Sequence, residues 1–191
     1  MPHTTSPVAR LDPLLGLVAT MLAVALTAIA CSAPGDAGEG IRELGSSAGI
    51  PGKPGHGDPF DTSRPTIRRL DPDLLDAVRS AARDARRDGV AMVVTSGWRS
   101  RAHQQRLFNE AVSKYGGVEE ALRWVSTPDT SAHVTGDAVD IGPSDADDWL
   151  DEHGADYGLC QIFANESWHF ELATTPGGEC PPMYPDSSGR T

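Results

Sequence analysis

The chain has 191 residues, of which 39% are hydrophobic, a length that suits one folded domain with additional terminal segments. Its 16 Lys and Arg against 27 Asp and Glu give a formal net charge of −11. Nucleic acids and anionic lipid surfaces are bound through clusters of basic side chains, so this charge excludes nucleic acid as an expected partner. The stretch from Trp124 to Pro185 has twelve acidic residues and no Lys or Arg. One use for such a charge is to bind a cation.

Residues 1–30 have the pattern of a secretory signal. Leu14 to Ala30 is a run of seventeen residues without a charge, and it ends in Ala28-Ile29-Ala30-Cys31. This ending resembles a bacterial lipobox and implies that Cys31 is the lipidated N-terminus of an exported, membrane-anchored lipoprotein. The alternatives are ordinary cleavage near Ala30, which gives a secreted protein, and an uncleaved span at the short limit for crossing a bilayer. All three place the rest of the chain outside the membrane.

Residues 31–66 are predicted to be a disordered tether. Ser32 to Thr66 contains eight glycines and five prolines, a composition that cannot bury enough apolar surface to offset the entropy of ordering the chain. The folded domain is expected from residue 67 to residue 185, which is long enough for one hydrophobic core. Residues 186–191 are expected to form a tail.

The cysteines indicate one disulfide. With Cys31 assigned to the lipid, Cys160 and Cys180 remain, and a disulfide between them would persist outside the membrane. Two separate buried thiols are less expected, because glycines and prolines surround Cys180. Zinc binding by this pair is disfavoured, because no second close Cys or His accompanies either residue.

The first half of the domain is predicted to contain three helices and a strand. Asp71 is a suitable N-cap, with a proline at the first helical position, and Gly89 ends the apolar pattern of that helix. A short apolar run that is rich in β-branched residues is best interpreted as a buried strand. The strand is expected at residues 90–95, and the two later helices at residues 101–114 and 118–125.

The second half is predicted to be a loop, two strands and one helix. Residues 126–135 are polar and are expected to form a loop before a strand at residues 138–141. Ser144 and Asp147 have the spacing of a capping box for a helix that ends near Gly154. In a last strand at residues 168–172, His169 and Glu171 face one side and Phe170 faces the other. The expected class is α+β, a small antiparallel sheet with flanking helices.

Two histidines lie beside carboxylates in these elements. His133 precedes Asp140 by seven residues, and Glu166 precedes His169 by three. Two imidazoles and one carboxylate are a usual ligand set for catalytic zinc, with a fourth position left for water. The remaining carboxylate then suits a general base. These spacings are common by chance, and a buried histidine is more often a hydrogen-bonded core residue than a ligand.

Three ordered motifs add to this pattern. They are Ser96-Gly97-Trp98-Arg99-Ser100, then Ser131-x-His133-x-x-Gly136-x-Ala138-x-Asp140, then Glu166-x-Trp168-His169-Phe170. Together they resemble the VanY-like D-alanyl-D-alanine carboxypeptidases, zinc peptidases of the fold shared with the Hedgehog signalling domain. The resemblance covers about Leu74 to Leu172.

The resemblance implies a role for each matching residue. His133, Asp140 and His169 are the implied Zn²⁺ ligands and Glu166 the catalytic base. Arg99 is implied to bind the scissile carbonyl and its developing oxyanion. The implied substrate contacts are Gln104, Ser131 and Trp168, and the implied substrate is a peptidoglycan stem peptide that ends in D-Ala-D-Ala.

Three alternatives remain beside the D,D-carboxypeptidase interpretation. The segment from Tyr157 to Asn165 is short for this family, so the pocket for the substrate's C-terminus is expected to differ. Endopeptidase and L,D-carboxypeptidase activity therefore stay open. A non-catalytic zinc-binding cell-wall module is the third alternative, although such a module needs neither Glu166 nor Arg99.

Overall fold

The computed structural model of the chain describes residues 56–190. The predicted signal, Cys31 and most of the predicted tether lie outside these residues. Among the described residues, no helix combines the length and the apolar character needed to cross a membrane.

The described chain alternates helices with short strands. The helices are Pro65–Arg68 (α1), Pro72–Arg87 (α2), Arg101–Tyr115 (α3), Val118–Leu122 (α4), Ala132–Thr135 (α5) and Ser144–His153 (α6). The strands are Val93–Ser96 (β1), Ala138–Gly142 (β2), Leu159–Gln161 (β3) and His169–Leu172 (β4). Two 3₁₀ turns, Gly154–Tyr157 and Ser187–Gly189, complete the described elements.

The four strands form one antiparallel sheet in the order β1-β2-β4-β3. The two central strands are β2 and β4, in which Asp140 lies opposite His169. On the outer side of β4, Cys160 of β3 lies opposite Glu171. Both central strands are paired on both sides, so their backbones are the most constrained part of the sheet.

Helix α2 covers one face of the sheet. Asp71 caps it, because its side chain accepts hydrogen bonds from the backbone N–H groups of Asp73 and Leu74. The core under α2 takes Val139 and Phe170 from the central strands, both fully buried. Because side chains alternate along a strand, Asp140 and His169 lie on the opposite face. One face of the sheet is therefore core and the other carries the polar groups.

A separate cluster joins α3 and α4. Phe108 and Ala111 of α3 pack against Ala121 of α4. Residues of α3, together with Trp124 and Val125 just after α4, contribute one side of the cavity described below.

The packed unit extends beyond both predicted limits. Before residue 67, Gly57 exchanges two backbone hydrogen bonds of 2.8 Å with Val94, and α1 spans the predicted boundary. After residue 185, Ser187 donates to the backbone carbonyl of Leu122 at 2.6 Å. Composition did not reveal these segments, because backbone and side-chain polar contacts hold them and such contacts leave no periodic apolar pattern in the sequence.

Three predicted details are corrected. The predicted loop 126–135 ends in the short helix α5, and β3 is an additional strand. The capping box is wrong: Pro143 is at the N-cap of α6, Ser144 already lies in the helix, and no side chain caps it. Asp147 is buried there, and its Oδ1 has no hydrogen-bond partner. Helix α6 therefore begins one residue earlier than the capping box predicted.

Candidate active site

His133 reaches the polar face of the sheet because α5 ends abruptly. Gly136 has φ +95°, in the left-handed region that favours glycine, and a Cβ there would lie 2.5 Å from the backbone oxygen of Arg69. The backbone N–H of Asp71 also donates to the Gly136 carbonyl at 2.9 Å. The glycine thus permits a tight turn that returns the chain from α5 into β2.

The loop after β1 holds His133 by its backbone. The His133 ring nitrogen Nδ1 lies 2.9 Å from the Gly97 carbonyl oxygen, and the Arg99 N–H donates to the His133 carbonyl at 2.9 Å. Gly97 itself has no room for a side chain, because a Cβ would lie 2.3 Å from the Thr66 oxygen. This packing places Arg99 and His133 side by side.

Three potential ligands converge on one point. Oδ1 of Asp140 lies 3.1 Å from Nε2 of His133 and 3.1 Å from Nδ1 of His169. One ligand atom from each of the three residues lies within 4.8 Å of the others, and all three residues are buried. The β2–β4 register supplies Asp140 and His169, and α5 supplies His133.

The surroundings of both imidazoles suit metal binding. A neutral imidazole has one N–H and one lone pair, and the partner of the N–H decides which nitrogen is free. The Gly97 carbonyl accepts at Nδ1 of His133, and the Glu171 carboxylate accepts at Nε2 of His169, 2.9 Å away. The nitrogens left to bind a metal beside Asp140 are therefore Nε2 of His133 and Nδ1 of His169. Two nitrogens and one carboxylate oxygen are a donor set for catalytic zinc with an open position.

Burial and the neighbouring charges shift the pKa values of these groups in opposite directions. Burial lowers the pKa of His133. Burial also acts to raise the pKa of Asp140, but the contacts with His133, His169 and Arg99 outweigh it and hold the pKa of this carboxyl far below its usual range. In His169, burial is outweighed by hydrogen bonds to Asp140 and Glu171, which raise its pKa. Asp140 is thus ionised at neutral pH, as a ligand must be.

Glu166 lies at the turn that leads into β4. Its N–H donates to the Phe163 carbonyl at 3.2 Å, and its Oε2 lies 3.9 Å from Nδ1 of His169. Burial is the largest cause that raises the pKa of Glu166 to about 6, and the negative charge of Asp140 adds to it. A carboxylate with such a pKa is ionised at neutral pH and accepts a proton more readily than an ordinary glutamate.

Arg99 pairs with the central carboxylate. Its Nη2 donates to Oδ2 of Asp140 at 2.6 Å, its Nε donates to Oγ of Ser96 at 2.7 Å, and its Nη1 donates to Oε1 of Gln104 at 3.3 Å. These contacts use three of the five guanidinium N–H groups. Arg99 is therefore a fixed positive charge in the wall of the site, bound to a potential metal ligand.

One cavity of about 340 Å³ contains all of these groups. It is lined by Arg99, Gln104, Ser131, His133, Asp140, Glu166, Trp168 and His169, which are all of the predicted catalytic, metal and substrate residues. Of these eight lining residues, only Trp168 is substantially exposed, at 42%.

The three predicted substrate contacts differ in what they already bind. The side-chain amide of Gln104 is buried, accepts from Arg99 and donates from its Nε2 to the Ser126 carbonyl, 2.8 Å away. Ser131 makes no capping bond to α5. A substrate contact by these three residues stays a prediction.

The structure adds two residues that the motifs did not include. Glu171 is buried beside His169, and Arg190 donates to the same carboxylate oxygen, Oε1. Strand alternation places Glu171 on the side of His169, so this residue could have been found from the sequence. Arg190 could not, because it follows a segment without helix or strand periodicity.

The two remaining cysteines form the predicted disulfide. Cys160 and Cys180 are joined by an S–S bond, with 20 residues of sequence separation. The bond ties the chain after β4 to β3, directly beside the Glu171 position in the sheet.

Comparison with known proteins assigns the family. The sequence model of the VanY family, D-alanyl-D-alanine carboxypeptidase, matches residues 67–175, more than half of the chain. The chain belongs to the VanY family. A D-alanyl-D-alanine carboxypeptidase of Enterococcus faecalis is 32% identical to it over 123 residues, which cover 51% of this chain and 43% of the relative. The match thus spans less than half the length of that curated relative.

Two solved structures show the same fold. The vancomycin-resistance D,D-pentapeptidase VanY from the VanB-type resistance cassette, in complex with Zn(II), is 28% identical, with a TM-score of 0.50 over 53% of this chain and 71% of the other. VanYB in complex with D-alanine-D-alanine is also 28% identical, with a TM-score of 0.51 over 53% of this chain and 70% of the other. The α+β prediction, with a small antiparallel sheet and flanking helices, is confirmed for this VanY-family chain.

Proposed function

We propose that this chain is a zinc-dependent D-alanyl-D-alanine carboxypeptidase that removes the terminal D-Ala from peptidoglycan stem peptides. The observation that carries the proposal is the set of His133, Asp140, His169, Glu166 and Arg99 in one cavity. It is supported by the Zn(II) in one solved relative and the D-alanine-D-alanine in another.

Zinc would be held by Nε2 of His133, a carboxylate oxygen of Asp140 and Nδ1 of His169. When bound, it supplies a Lewis acid that polarises the scissile carbonyl and makes water more acidic. The chain supplies the other parts of the reaction through its own side chains.

Glu166 moves the proton. Its carboxylate, with a pKa of about 6, accepts a proton from the attacking water as the water oxygen bonds to the carbonyl carbon. The same carboxylic acid then gives this proton to the nitrogen of the leaving D-alanine as the C–N bond breaks. The products are a shortened peptide with a free carboxylate and D-alanine.

Arg99 supplies the positive charge for the oxyanion. Its contacts with Ser96 and Gln104 hold the guanidinium in place without neutralising it, because both partners are uncharged. A preorganised donor beside the developing negative charge stabilises the transition state more than the substrate. Asp140 takes only part of the fork of N–H groups, so the substrate carbonyl has N–H groups left to use.

The test is hydrolysis of a defined peptide. The purified chain, loaded with Zn²⁺, is incubated with a stem pentapeptide that ends in D-Ala-D-Ala, and the products are identified by mass spectrometry. We expect one D-alanine per peptide, loss of the reaction with a chelator, and recovery when Zn²⁺ is restored. A matched pentapeptide that ends in L-Ala is expected to stay intact.

The products formed from other peptidoglycan fragments distinguish the alternative functions. Cleavage of cross-linked muropeptides inside the bridge would identify an endopeptidase, and release of D-alanine from the tetrapeptide would identify an L,D-carboxypeptidase. Zinc binding without any product from these substrates would contradict the enzyme and favour a zinc-binding cell-wall module.

We also propose that the protein is exported and anchored to the membrane through a lipid on Cys31, facing the cell wall. The proposal is supported by the lipobox-like Ala28-Ile29-Ala30-Cys31 and by the Cys160–Cys180 disulfide, since disulfides persist outside the cytoplasm. The original chain is expected to incorporate a radiolabelled fatty acid when it is expressed in bacterial cells, and the variant Cys31→Ala is expected to incorporate none. Absence of label from the original chain, or equal labelling of both chains, would contradict the lipid anchor.

A further inference from the structure

The residues that follow the family match form a strap along the edge of the site. We call residues 176–190 the C-terminal strap. Several contacts tie the strap to the domain. They include the disulfide of Cys180 with Cys160, the bridge of Tyr184 with Phe163, the ion pair of Asp186 with Arg123, and the hydrogen bond from Ser187 to the Leu122 carbonyl. Its end is thereby fixed, and Arg190 is brought to the cavity.

The Arg190 side chain binds the Glu171 carboxylate, which also accepts a hydrogen bond from the predicted metal ligand His169. Its Nη1 donates to Oε1 of Glu171, the same oxygen that accepts from Nε2 of His169. The Glu171 side chain is 8% exposed, whereas that of Arg190 is 34% exposed. The Glu171 carboxylate is thus mostly buried, and the more exposed Arg190 binds it from the strap.

The contact decides which nitrogen of His169 is available. With Glu171 accepting at Nε2, Nδ1 is the nitrogen left to bind a metal, and it lies 3.1 Å from Oδ1 of Asp140. In addition, the bond sets the plane of the ring. Partners of this kind are known to set the metal affinity of histidine ligands in general.

The other histidine has a different kind of support. His133 donates to the backbone carbonyl of Gly97, whose position is determined by the close approach of Thr66. A backbone carbonyl needs no further residue to hold it. The Glu171 carboxylate, in contrast, can rotate about its side-chain bonds, and it lines the open cavity. Arg190 removes that freedom by binding the oxygen that faces His169.

We propose that Arg190 is a positioning residue that acts through Glu171 on His169, so that the C-terminal strap sets the metal affinity of the site. The inference rests on the proposed zinc function of His133, Asp140 and His169. It concerns residues after the family match, which ends at residue 175.

The test measures the Zn²⁺ dissociation constant by competition with a chromophoric chelator. The variants are Glu171→Gln, Arg190→Gln and the double variant, in the full chain. Loss of such a support costs about 10- to 100-fold in metal affinity, which we expect for Glu171→Gln. We expect a smaller loss of about 3- to 10-fold for Arg190→Gln, because this residue acts through another.

The double variant tests the order of action. If Arg190 acts only through Glu171, the change Arg190→Gln weakens Zn²⁺ binding by less than about twofold in the Glu171→Gln background, since coupled residues are not additive. Arg190→Lys is expected to restore part of the affinity. In the Co²⁺-loaded protein, the visible absorption bands are expected to change with Glu171→Gln, as the ligand geometry changes.

Two control variants distinguish this role of Arg190 from a general loosening of the strap's attachment to the domain. Arg123→Gln removes the ion pair with Asp186 within the strap but leaves Arg190 in place. Arg101→Gln removes an exposed ion pair with Asp129 elsewhere. Both are expected to bind Zn²⁺ within about twofold of the original chain, because neither contacts a predicted ligand.

Three results would overturn the proposal. They are an unchanged Zn²⁺ dissociation constant in Arg190→Gln, an equal effect of Arg190→Gln in both backgrounds, and an equal loss in Arg123→Gln. Thermal unfolding of the metal-free chains shows whether each variant folds, and Arg190→Gln with Arg190→Lys decides the question if Glu171→Gln does not fold. Tight Zn²⁺ binding without peptide hydrolysis would refute the carboxypeptidase but leave this inference standing.

Discussion

The two histidines of the site are held by different chemistry. On one side, the His133 wall consists of Gly97, Arg99, Gln104 and His133. The Gly97 carbonyl accepts from Nδ1 of the His133 ring, and the Arg99 N–H donates to the His133 carbonyl, so both contacts use backbone groups. On the other side, the His169 wall consists of Glu166, His169, Glu171 and Arg190, and its contacts are between charged side chains. The comparison teaches that the orientation of the His169 ring depends on a side chain that substitution can remove, whereas the orientation of the His133 ring depends on a backbone carbonyl that substitution leaves in place.

The largest expected effect lies in the His169 wall. Glu166→Gln keeps the shape of the side chain but removes the proton acceptor, so kcat is expected to fall by about 10²- to 10⁴-fold. The Zn²⁺ dissociation constant is expected to stay unchanged, because Glu166 is not among the three ligands. The measurements are D-alanine release and chelator competition.

Glu152→Gln is the matched control for this change. Its carboxylate lies on α6, and its side chain is 78% exposed. An equal loss of activity in both variants would contradict the assignment of Glu166 as the base.

In the His133 wall, the largest effect is expected from Arg99. Arg99→Gln is expected to lower kcat/KM by about 10²- to 10³-fold, the usual cost of one oxyanion donor. Arg99→Lys is not expected to restore the rate, because an ammonium cannot reach Ser96, Gln104 and Asp140 at once. Steady-state kinetics with the pentapeptide provide the measurement.

Arg106→Gln removes an exposed arginine of α3 whose contacts stay within that helix, so its kinetics are expected to match the original chain. Full activity in Arg99→Lys would show that charge alone is needed in the His133 wall.

Removing the disulfide tests whether the two sides of the site lose stability independently of each other. The double change Cys160→Ala and Cys180→Ala opens a loop with 20 residues of separation and is expected to lower the free energy of unfolding by about 3 kcal/mol. Denaturant unfolding measures this loss.

Amide hydrogen exchange then shows which part of the domain loses stability when the disulfide is removed. The Tyr184 amide, which donates to the Ile162 carbonyl at 2.9 Å, is expected to lose protection. The Arg99 amide, which donates to the His133 carbonyl, is expected to keep it. Equal loss at both amides would show that the walls are not independent.

The smallest effect is expected from a carboxylate outside both walls. Burial, followed by the charges of Asp148 and Asp145, raises the pKa of Asp147 to about 6, above the value near 3.9 of an unfolded aspartate. The folded state therefore keeps a proton that the unfolded state releases between about pH 4 and pH 6, and the stability from this carboxyl is lost as the pH rises through that window.

Asp147→Asn is accordingly expected to raise the free energy of unfolding at pH 7 by an amount on the order of 1 kcal/mol. At pH 4 the gain is expected to be smaller, because the carboxyl is then protonated in the folded chain. Denaturant unfolding at both pH values checks this, and an equal gain at both would contradict the pKa argument. The metal-site residues of the two walls are unchanged in this variant.

Much of the fold was predictable from local patterns. Helix α2 has its Asp71 cap and its apolar face where the sequence places them, and β2 and β4 alternate as expected between core and site. Helix α5 was not predicted, because its four residues are too few to show a helical period. Strand β3 was missed for the same reason, as its three residues form a strand only through pairing with β4.

Some features of the candidate site were likewise predictable from the sequence and others were not. The ligands and Glu166 could be predicted because their residue types and spacing form motifs within short segments. The ion pair of Arg99 with Asp140 joins positions separated by 41 residues, and that of Arg190 with Glu171 joins positions separated by 19. No local pattern encodes such pairs, because their partners meet only when the chain has folded.

The sequence by itself determined the residue types of the site, the strands that carry Asp140 and His169, and the cysteine pair, since each depends on local periodicity or on composition. The tertiary structure alone decided which ring nitrogens face the site, that Arg99 binds a ligand carboxylate, and that the C-terminal strap reaches Glu171. The physical reason is that hydrogen-bond partners select a tautomer and a rotamer only at about 3 Å, a distance that folding sets and that sequence spacing does not.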